Sequence, residues 1–502
     1  MANLARILVD SAARFPERPA IRLGDLAVTY AELEAATRRV AGLLRAHGVE
    51  AGDRVAIMLP NVPEFASAYY GALRLGAIVL PMNVLNKQRE VAFVLREADA
   101  RVIFALEGMH EHAEAAAEAT GATCVRVTVG AFPEGDPPAL DVLADAAPDD
   151  TAMLLFTSGT TGSPKGAELT HFNLARNAEI SESMFGLSCE DVLLGALPLF
   201  HAFGQTCGLN TTVSAGACVT LLPRFDPAQA LELLDRHGVT LCLGVPTMYA
   251  AMLDKADGFP AGRLRHCVSG GSALPERVLR EAEALFGCPM LEGYGLTETS
   301  PVASFNKPGQ PRKVNSIGTP LEDTEMRVVD ADDRDLPPGE AGEILIRGHG
   351  VMKGYWNQPE ATARTLRGGW MHTGDLAYVD EDGYFFIVDR IKDMIIRGGL
   401  NVYPSEVEEV LHEHPAVRAA AVVKVPHPVL GEEVGAAVVL RDGAEASEKE
   451  LRAFVRDEIA AYKYPRHVWF VEELPMDATG KVRKREITVP PEVLERAAVR
   501  RG

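Results

Sequence analysis

Apolar positions along the chain follow two periods. Over residues 30–48 they keep a helical spacing: Leu33, Val40, Leu43 and Leu44 fall on one face, and Gly48 ends the run. Thr29 and Glu32 stand just ahead of it with capping-box spacing, which predicts where the helix begins. Short unbroken apolar runs at 55–59, 77–80 and 102–105 predict buried strands, with a helix over 63–75 between the first two. Strands alternating with helices predict a mostly parallel sheet covered on both faces. Residues 136–150, rich in Pro, Asp and Ala, predict an exposed connection, and 153–156 form another buried strand. Late in the chain, 417–425, 434–440 and 467–471 predict strands. A helix runs from Ser447 to about residue 460, and Ser405 with Glu408 predicts a further capping box.

Composition changes this picture only in part. A chain of 502 residues is too long for one core, so two or more domains are expected. A formal charge of -20 argues against nucleic acid or an anionic membrane surface as the main partner. It leaves room for an anionic substrate at a local basic site. The seven cysteines show no CxxC spacing and read as reduced thiols of a cytoplasmic protein, not as disulfides or a metal site. Residues 1–22 lack the apolar core of a signal peptide, and no window approaches 18 uninterrupted apolar residues, so no membrane span is expected.

The chemistry gathers first at residues 157–166. Thr157, Ser158, Gly159, Thr160, Thr161, Gly162, Ser163, Pro164, Lys165 and Gly166 combine backbone freedom, hydroxyl donors and one mobile cation. Such a loop suits a polyphosphate. It is not the common P-loop, which needs Ser or Thr after its lysine; here Gly166 follows Lys165.

In this order the residues resemble the signature loop of the adenylate-forming superfamily: acyl-CoA synthetases, luciferases and the adenylation domains of peptide synthetases. Further motifs extend the resemblance to nearly the whole chain. Leu197-Pro198-Leu199-Phe200-His201 resembles the family's LPxFH element, which implies a gating role for His201 beside the acyl group. Phe203 and Gly204 follow as candidate pocket walls. Ser269-Gly270-Gly271-Ser272 resembles the turn that holds adenine, where glycines allow close backbone approach. Glu292-Gly293-Tyr294-Gly295-Leu296-Thr297-Glu298 implies Thr297 on the α-phosphate, Glu298 on Mg2+, and Tyr294 near adenine, with Gly271 and Gly295 also bordering the acyl pocket. Met371-His372-Thr373-Gly374-Asp375 implies Asp375 on the ribose hydroxyls, and Asp389-Arg390-Ile391-Lys392-Asp393 implies Arg390 on ribose or phosphate, with Lys392 as a hinge. Gly398-Gly399-Leu400 resembles the segment lining the pantetheine tunnel. The last motif, Pro475 to Lys481, implies that Lys481 bridges the substrate carboxylate and the phosphates. Arg483 and Lys484 beyond it read as solvated charges.

The resemblance implies a large α/β N-terminal domain (1–391) of several layers with parallel-rich sheets, and a small mobile α+β C-terminal domain (392–502). It implies ATP, Mg2+ and coenzyme A. A carboxylate attacks the α-phosphate of ATP to give acyl-AMP and pyrophosphate, and the CoA thiol then displaces AMP. Malonyl-CoA synthetases of the family carry Arg where this chain has Gly293. An unpaired buried carboxylate costs several kcal/mol, on the order of 3–5. The substrate is therefore expected to be a monocarboxylate, with a medium- or long-chain fatty acid favoured. An aryl or short-chain acid, or a carrier protein in place of CoA, stays open at this point.

Overall fold

The computed structural model describes residues 3–131, 138–157, 164–256, 262–390, 393–477 and 480–498. Two large sheets form the first part. In one, of nine strands, the run from Met290–Gly295 through His266–Ser269, Leu241–Gly244, Val192–Gly195 and Cys218–Leu221 to Pro19–Leu23 is parallel throughout. Antiparallel strands close both of its edges. In the other, of seven strands, Thr151–Thr157, Ile78–Pro81, Arg54–Met58, Ala100–Leu106 and Thr123–Val127 are parallel. Apolar runs without alternation fit here because helices cover both faces. Leu33, Leu44, Phe65, Tyr69 and Tyr70 from the helices Tyr30–Ala46 and Pro63–Arg74 are all fully buried in the shared core.

The predicted strands and helices lie within three residues of those observed. Thr29 caps the helix Tyr30–Ala46, and Glu32 returns the bond to the Thr29 N–H at 2.8 Å. The connection before residue 151 has no regular structure over 138–150, yet it is tied down: Ala144 N–H reaches the Arg74 carbonyl and Leu140 N–H the Arg38 carbonyl. Arg74 itself is buried, donates to the Val142 carbonyl and pairs with Glu34 at 2.7 Å.

A four-stranded antiparallel sheet, Thr324–Val329, Gly342–Gly348, Met371–Val379 and Phe385–Arg390, follows the two parallel-rich sheets. From Ile395 onward the strands form a separate five-stranded sheet whose core includes Ile395, Val407, Leu411, Val438, Leu451 and Val468. Two expectations fail here. Ser405 and Glu408 do not form a capping box, because Pro404 already opens the helix Pro404–Glu413. Ser405 instead sends its N–H and hydroxyl to Asp389 Oδ2, at 3.0 and 3.2 Å. Glu408 accepts from Val422 N–H and pairs with Lys484 at 2.7 Å. Lys484 is thus a partly buried ion-pair partner and not a solvated charge, because the chain after Lys481 folds back along this helix. Lys392 lies outside the described residues.

Candidate active site

The strand Thr151–Thr157 and the antiparallel return Lys165–Thr170 place Thr157 opposite Lys165 in register. The hydroxyl and the ammonium therefore stand at the mouth of the Gly/Ser/Thr loop. Ser158, Gly159, Thr160 and Thr161 lie outside the described residues.

Strand Met290–Gly295 ends at the same mouth. Thr297 opens a single 3-10 turn, Thr297–Thr299, that presents Glu298. The Glu298 Oε1 accepts from the Tyr355 hydroxyl at 3.0 Å and meets the Thr157 hydroxyl at 3.5 Å. Both partners are uncharged hydroxyl groups. Among the described residues no group of three or more His, Cys, Asp or Glu is arranged to hold a metal alone. One carboxylate beside a phosphate loop suits Mg2+, which takes few protein ligands and completes its shell with phosphate oxygens and water.

Two glycines of this segment are fixed by close packing. A Cβ on Gly295 would lie 1.8 Å from the Pro301 carbonyl oxygen, and one on Gly293 would lie 2.3 Å from the Phe305 ring. Glu292, on the same strand, is buried and accepts from Leu274 N–H at 3.3 Å. Burial pushes its carboxyl up to about 8, so it is protonated at neutral pH. It borders a cavity of about 120 Å³ shared with Asn306, Met290 and Arg312.

Asp375 and Arg390 are cross-strand partners in the antiparallel sheet. Arg390 Nε reaches Asp375 Oδ1 at 2.9 Å, and the Tyr294 hydroxyl donates to Asp375 Oδ2 at 2.6 Å. Asp375 is buried and so is presented with one carboxylate orientation.

Lys481 arrives from the other side. Its N–H bonds Asp477 Oδ1 at 3.0 Å, and Asp477 N–H bonds its carbonyl at 2.8 Å, closing a tight turn. The Thr247 hydroxyl donates to the Gly480 carbonyl at 3.1 Å and holds the turn on the first part of the chain. A Cβ at Gly271 would stand 2.9 Å from Lys481 Cε, so Gly271 leaves the path for the lysine. Burial and the neighbouring Arg390 charge lower the Lys481 pKa, against the pull of Asp477, Asp375 and Glu298. His201 lies within the reach of the same ammonium. Burial and Lys481 push its imidazole down to about 4. Its Nδ1 accepts from Phe203 N–H at 3.3 Å, which leaves the proton of the neutral ring on Nε2.

Phe203 opens a π-helical segment, Phe203–Asn210, and its ring covers Gly270: a Cβ there would lie 3.2 Å from the ring. The Cβ direction of Gly204 is taken by the Pro198 carbonyl. Ser272 sits on the exposed turn after Gly271. Thr157, Lys165, Glu298, Tyr294, Asp375, Arg390, His201 and Lys481 are thus brought to one place. Gly399 and Leu400 are not: they sit at an exposed hairpin tip between Ile395–Arg397 and Leu400–Val402, with Leu400 49% exposed. Tyr355 and Thr247 carry no sequence signal; both act through contacts between segments far apart in the chain.

Known proteins resemble this chain over nearly its whole length. The family described as AMP-binding enzyme matches residues 8–356, and its C-terminal domain matches residues 406–481. A long-chain-fatty-acid–CoA ligase of Bacillus subtilis (strain 168) is 37% identical, covering 97% of this chain and 94% of its own length. A feruloyl-CoA synthase of an Amycolatopsis species is 40% identical, covering 95% and 97%. The O-succinylbenzoate coenzyme A synthetase of Bacillus subtilis, solved with ATP and a magnesium ion, superposes with a TM-score of 0.85 at 33% identity, covering 97% of this chain and 99% of that one. The converging side chains, the two matched domains and these full-length likenesses together place the chain in the adenylate-forming superfamily, as an AMP-forming acyl-CoA synthetase.

Proposed function

We propose that this synthetase activates an apolar monocarboxylic acid, a medium- or long-chain fatty acid in the first place, and that Lys481 and Glu298 carry the adenylation step. The observation that carries this reading is the docking of Lys481 against Gly271, facing the Asp375–Arg390 pair and the Glu298 turn.

Hydroxide is a poor leaving group and AMP a good one, so the carboxylate must first be joined to the α-phosphate. Negative charge gathers on the phosphoryl oxygens as the carboxylate oxygen attacks and pyrophosphate departs. Preorganised cations that meet this charge supply most of the acceleration. Lys481 holds the attacking carboxylate against the α-phosphate, and Lys165 and the hydroxyls of the loop hold the outgoing phosphates. Thr297 contacts the α-phosphate, and Asp375 with Arg390 fixes the ribose. Glu298 is the protein ligand for Mg2+, which when bound neutralises phosphate charge. His201, neutral at pH 7, borders the acyl carbonyl and sets the carboxylate's approach without adding charge. The free thiols, five of them buried, suit a cytoplasmic enzyme.

The thioester step needs a different face of the second domain. Gly399 and Leu400 are exposed in this orientation, and a rotation about Lys392 would exchange Lys481 for them. The CoA thiol then attacks the acyl carbonyl, and AMP leaves.

Phe305 supports the monocarboxylate reading, because its ring occupies the place from which a basic residue at 293 would project. An aryl acid is a second reading. The Phe203 ring lying on Gly270 can end the pocket early, and the feruloyl-CoA synthase relative is of that kind. AMP formation with Mg-ATP and CoA across butyrate, octanoate, palmitate, benzoate, coumarate and malonate tests the proposal. A maximum at octanoate or palmitate is expected. A maximum at benzoate or coumarate replaces the fatty acid with an aryl acid, and turnover of malonate removes the monocarboxylate argument.

A further inference from the structure

Tyr355 stands in a segment that resembles none of the motifs above, yet its position is built with care. The two-residue strand Gly354–Tyr355 pairs antiparallel with Lys165–Thr170, setting Tyr355 opposite Ala167. Trp356 N–H donates to the Gly166 carbonyl at 2.8 Å, immediately after the phosphate-loop lysine. At the other end, Met352 N–H donates to the Glu298 carbonyl at 2.9 Å. Gly350 lies so close that a Cβ would meet the Thr299 carbonyl at 2.3 Å. Tyr355 N–H is held by the Thr362 hydroxyl at 2.8 Å. The segment 350–356 therefore ties the phosphate loop to the Glu298 turn. Its side chain does the same: the hydroxyl donates to Glu298 Oε1 at 3.0 Å, while Lys165 Nζ lies 5.1 Å from the ring centroid.

We propose that Tyr355 is a positioning residue for the adenylation step, orienting the Glu298 carboxylate for the nucleotide-bound cation and seating Lys165 beside it. The inference rests on the reading of Glu298 as the metal-bearing carboxylate. A phenol suits this task for a physical reason. A carboxylate next to a polyphosphate must be oriented without being neutralised. An Arg or Lys partner would fix it but compete with the cation for its charge. A neutral O–H donor fixes one oxygen and leaves the net charge in place. The ring face also offers the Lys165 ammonium an attractive surface that bears no negative charge of its own. Partners that orient a ligating side chain in this way affect metal affinity by about 10–100-fold.

The test uses Tyr355→Phe, which keeps the ring and removes the hydroxyl. Mn2+ binding to the full-length protein saturated with a non-hydrolysable ATP analogue is followed by electron paramagnetic resonance, beside Glu298→Gln as a reference. Analogue affinity is also measured without metal. The proposal expects Mn2+ affinity in Tyr355→Phe to fall by about tenfold, with metal-free affinity for the analogue unchanged. Wild-type Mn2+ affinity in Tyr355→Phe, with Glu298→Gln impaired, overturns the role of Tyr355 and leaves that of Glu298 standing. Wild-type Mn2+ affinity in Glu298→Gln removes the premise and the proposal together. Equal loss of analogue affinity with and without metal shows a structural role only, and also overturns it.

Discussion

At position 293 the Phe305 ring fills the space that a side chain would need, and it is itself 3% exposed and edge-on to Phe185 at 5.3 Å. Introducing Arg there is therefore a packing change before it is a charge change. Gly293→Arg should lower stability by about 1–3 kcal/mol, the range for overfilling a packed site, and should not confer turnover of malonate. Urea unfolding and the acid panel check both halves. Malonate turnover in a variant of undiminished stability would mean that Phe305 moves aside freely. At this scale the sequence singled out residues whose motifs carry their own chemistry, and the structure brings Asp375, Arg390, Glu298 and Lys481 near one another. It was silent where a residue acts through a fold-dependent neighbour. Tyr355 touches Glu298 across 57 positions, and Lys484 pairs with Glu408 only because the chain doubles back.

Among elements, the helix His171–Phe185 begins directly behind the phosphate-loop return strand. Its first residue, His171, is 2% exposed, and its Nδ1 accepts from Leu4 N–H at 3.0 Å. Burial pushes the imidazole down to about 4, only partly offset by Asp150. Its unfolded counterpart takes up a proton near the ordinary value of about 6.5. Between those values the unfolded state binds more protons, so stability is lost as pH falls from about 6.5 towards 4. The denaturant midpoint should drop across that window, and His171→Gln should flatten the drop while His201 still contributes. An equal slope in the variant would show that His171 does not titrate as argued. Elements with local signals were readable: the Thr29–Glu32 box, and the parallel strands whose unbroken apolar runs need no partner to be recognised. Ser405 misled because a hydroxyl near a helix start serves a cap or a distant carboxylate equally well, and Pro404 decided between them. The pairing of the antiparallel sheet from Thr324 to Arg390 went unread because its strands alternate weakly and two of its three pairings cross connections of more than ten residues.

For the whole molecule, polar contacts among the described residues join the second domain to the first. Ser405 bonds Asp389, Asn315 donates to Glu409 at 2.6 Å, Thr247 holds Gly480, and Arg441 approaches Asp254 at 3.7 Å. Polar contacts of this kind are compatible with the proposed rotation of that domain. Removing one hydrogen bond should shift the balance between orientations, not abolish it. Ser405→Ala should lower carboxylate-dependent ATP–pyrophosphate exchange by about twofold to fivefold, the scale of one net hydrogen bond. Thiolysis of supplied acyl-AMP should hold or rise. A parallel fall in both half-reactions would place Ser405 in the general stability of the fold instead. The two-domain plan and the reaction class were legible because motifs span nearly the whole chain. The depth of the proposed acyl pocket was not, because Phe203 and Gly270, which meet in the structure, come from separate segments.

The central claim is that Lys481 serves adenylation alone, from a domain that presents another face for thioester formation. The most direct measurement compares the two half-reactions in Lys481→Ala. Carboxylate-dependent ATP–pyrophosphate exchange should fall by about 100-fold or more, the scale of losing one preorganised charge contact in the transition state. Conversion of supplied acyl-AMP and CoA to acyl-CoA should persist near the wild-type rate. If both half-reactions fell together, Lys481 would not be specific to the first step, and the division of labour between two domain orientations would be contradicted.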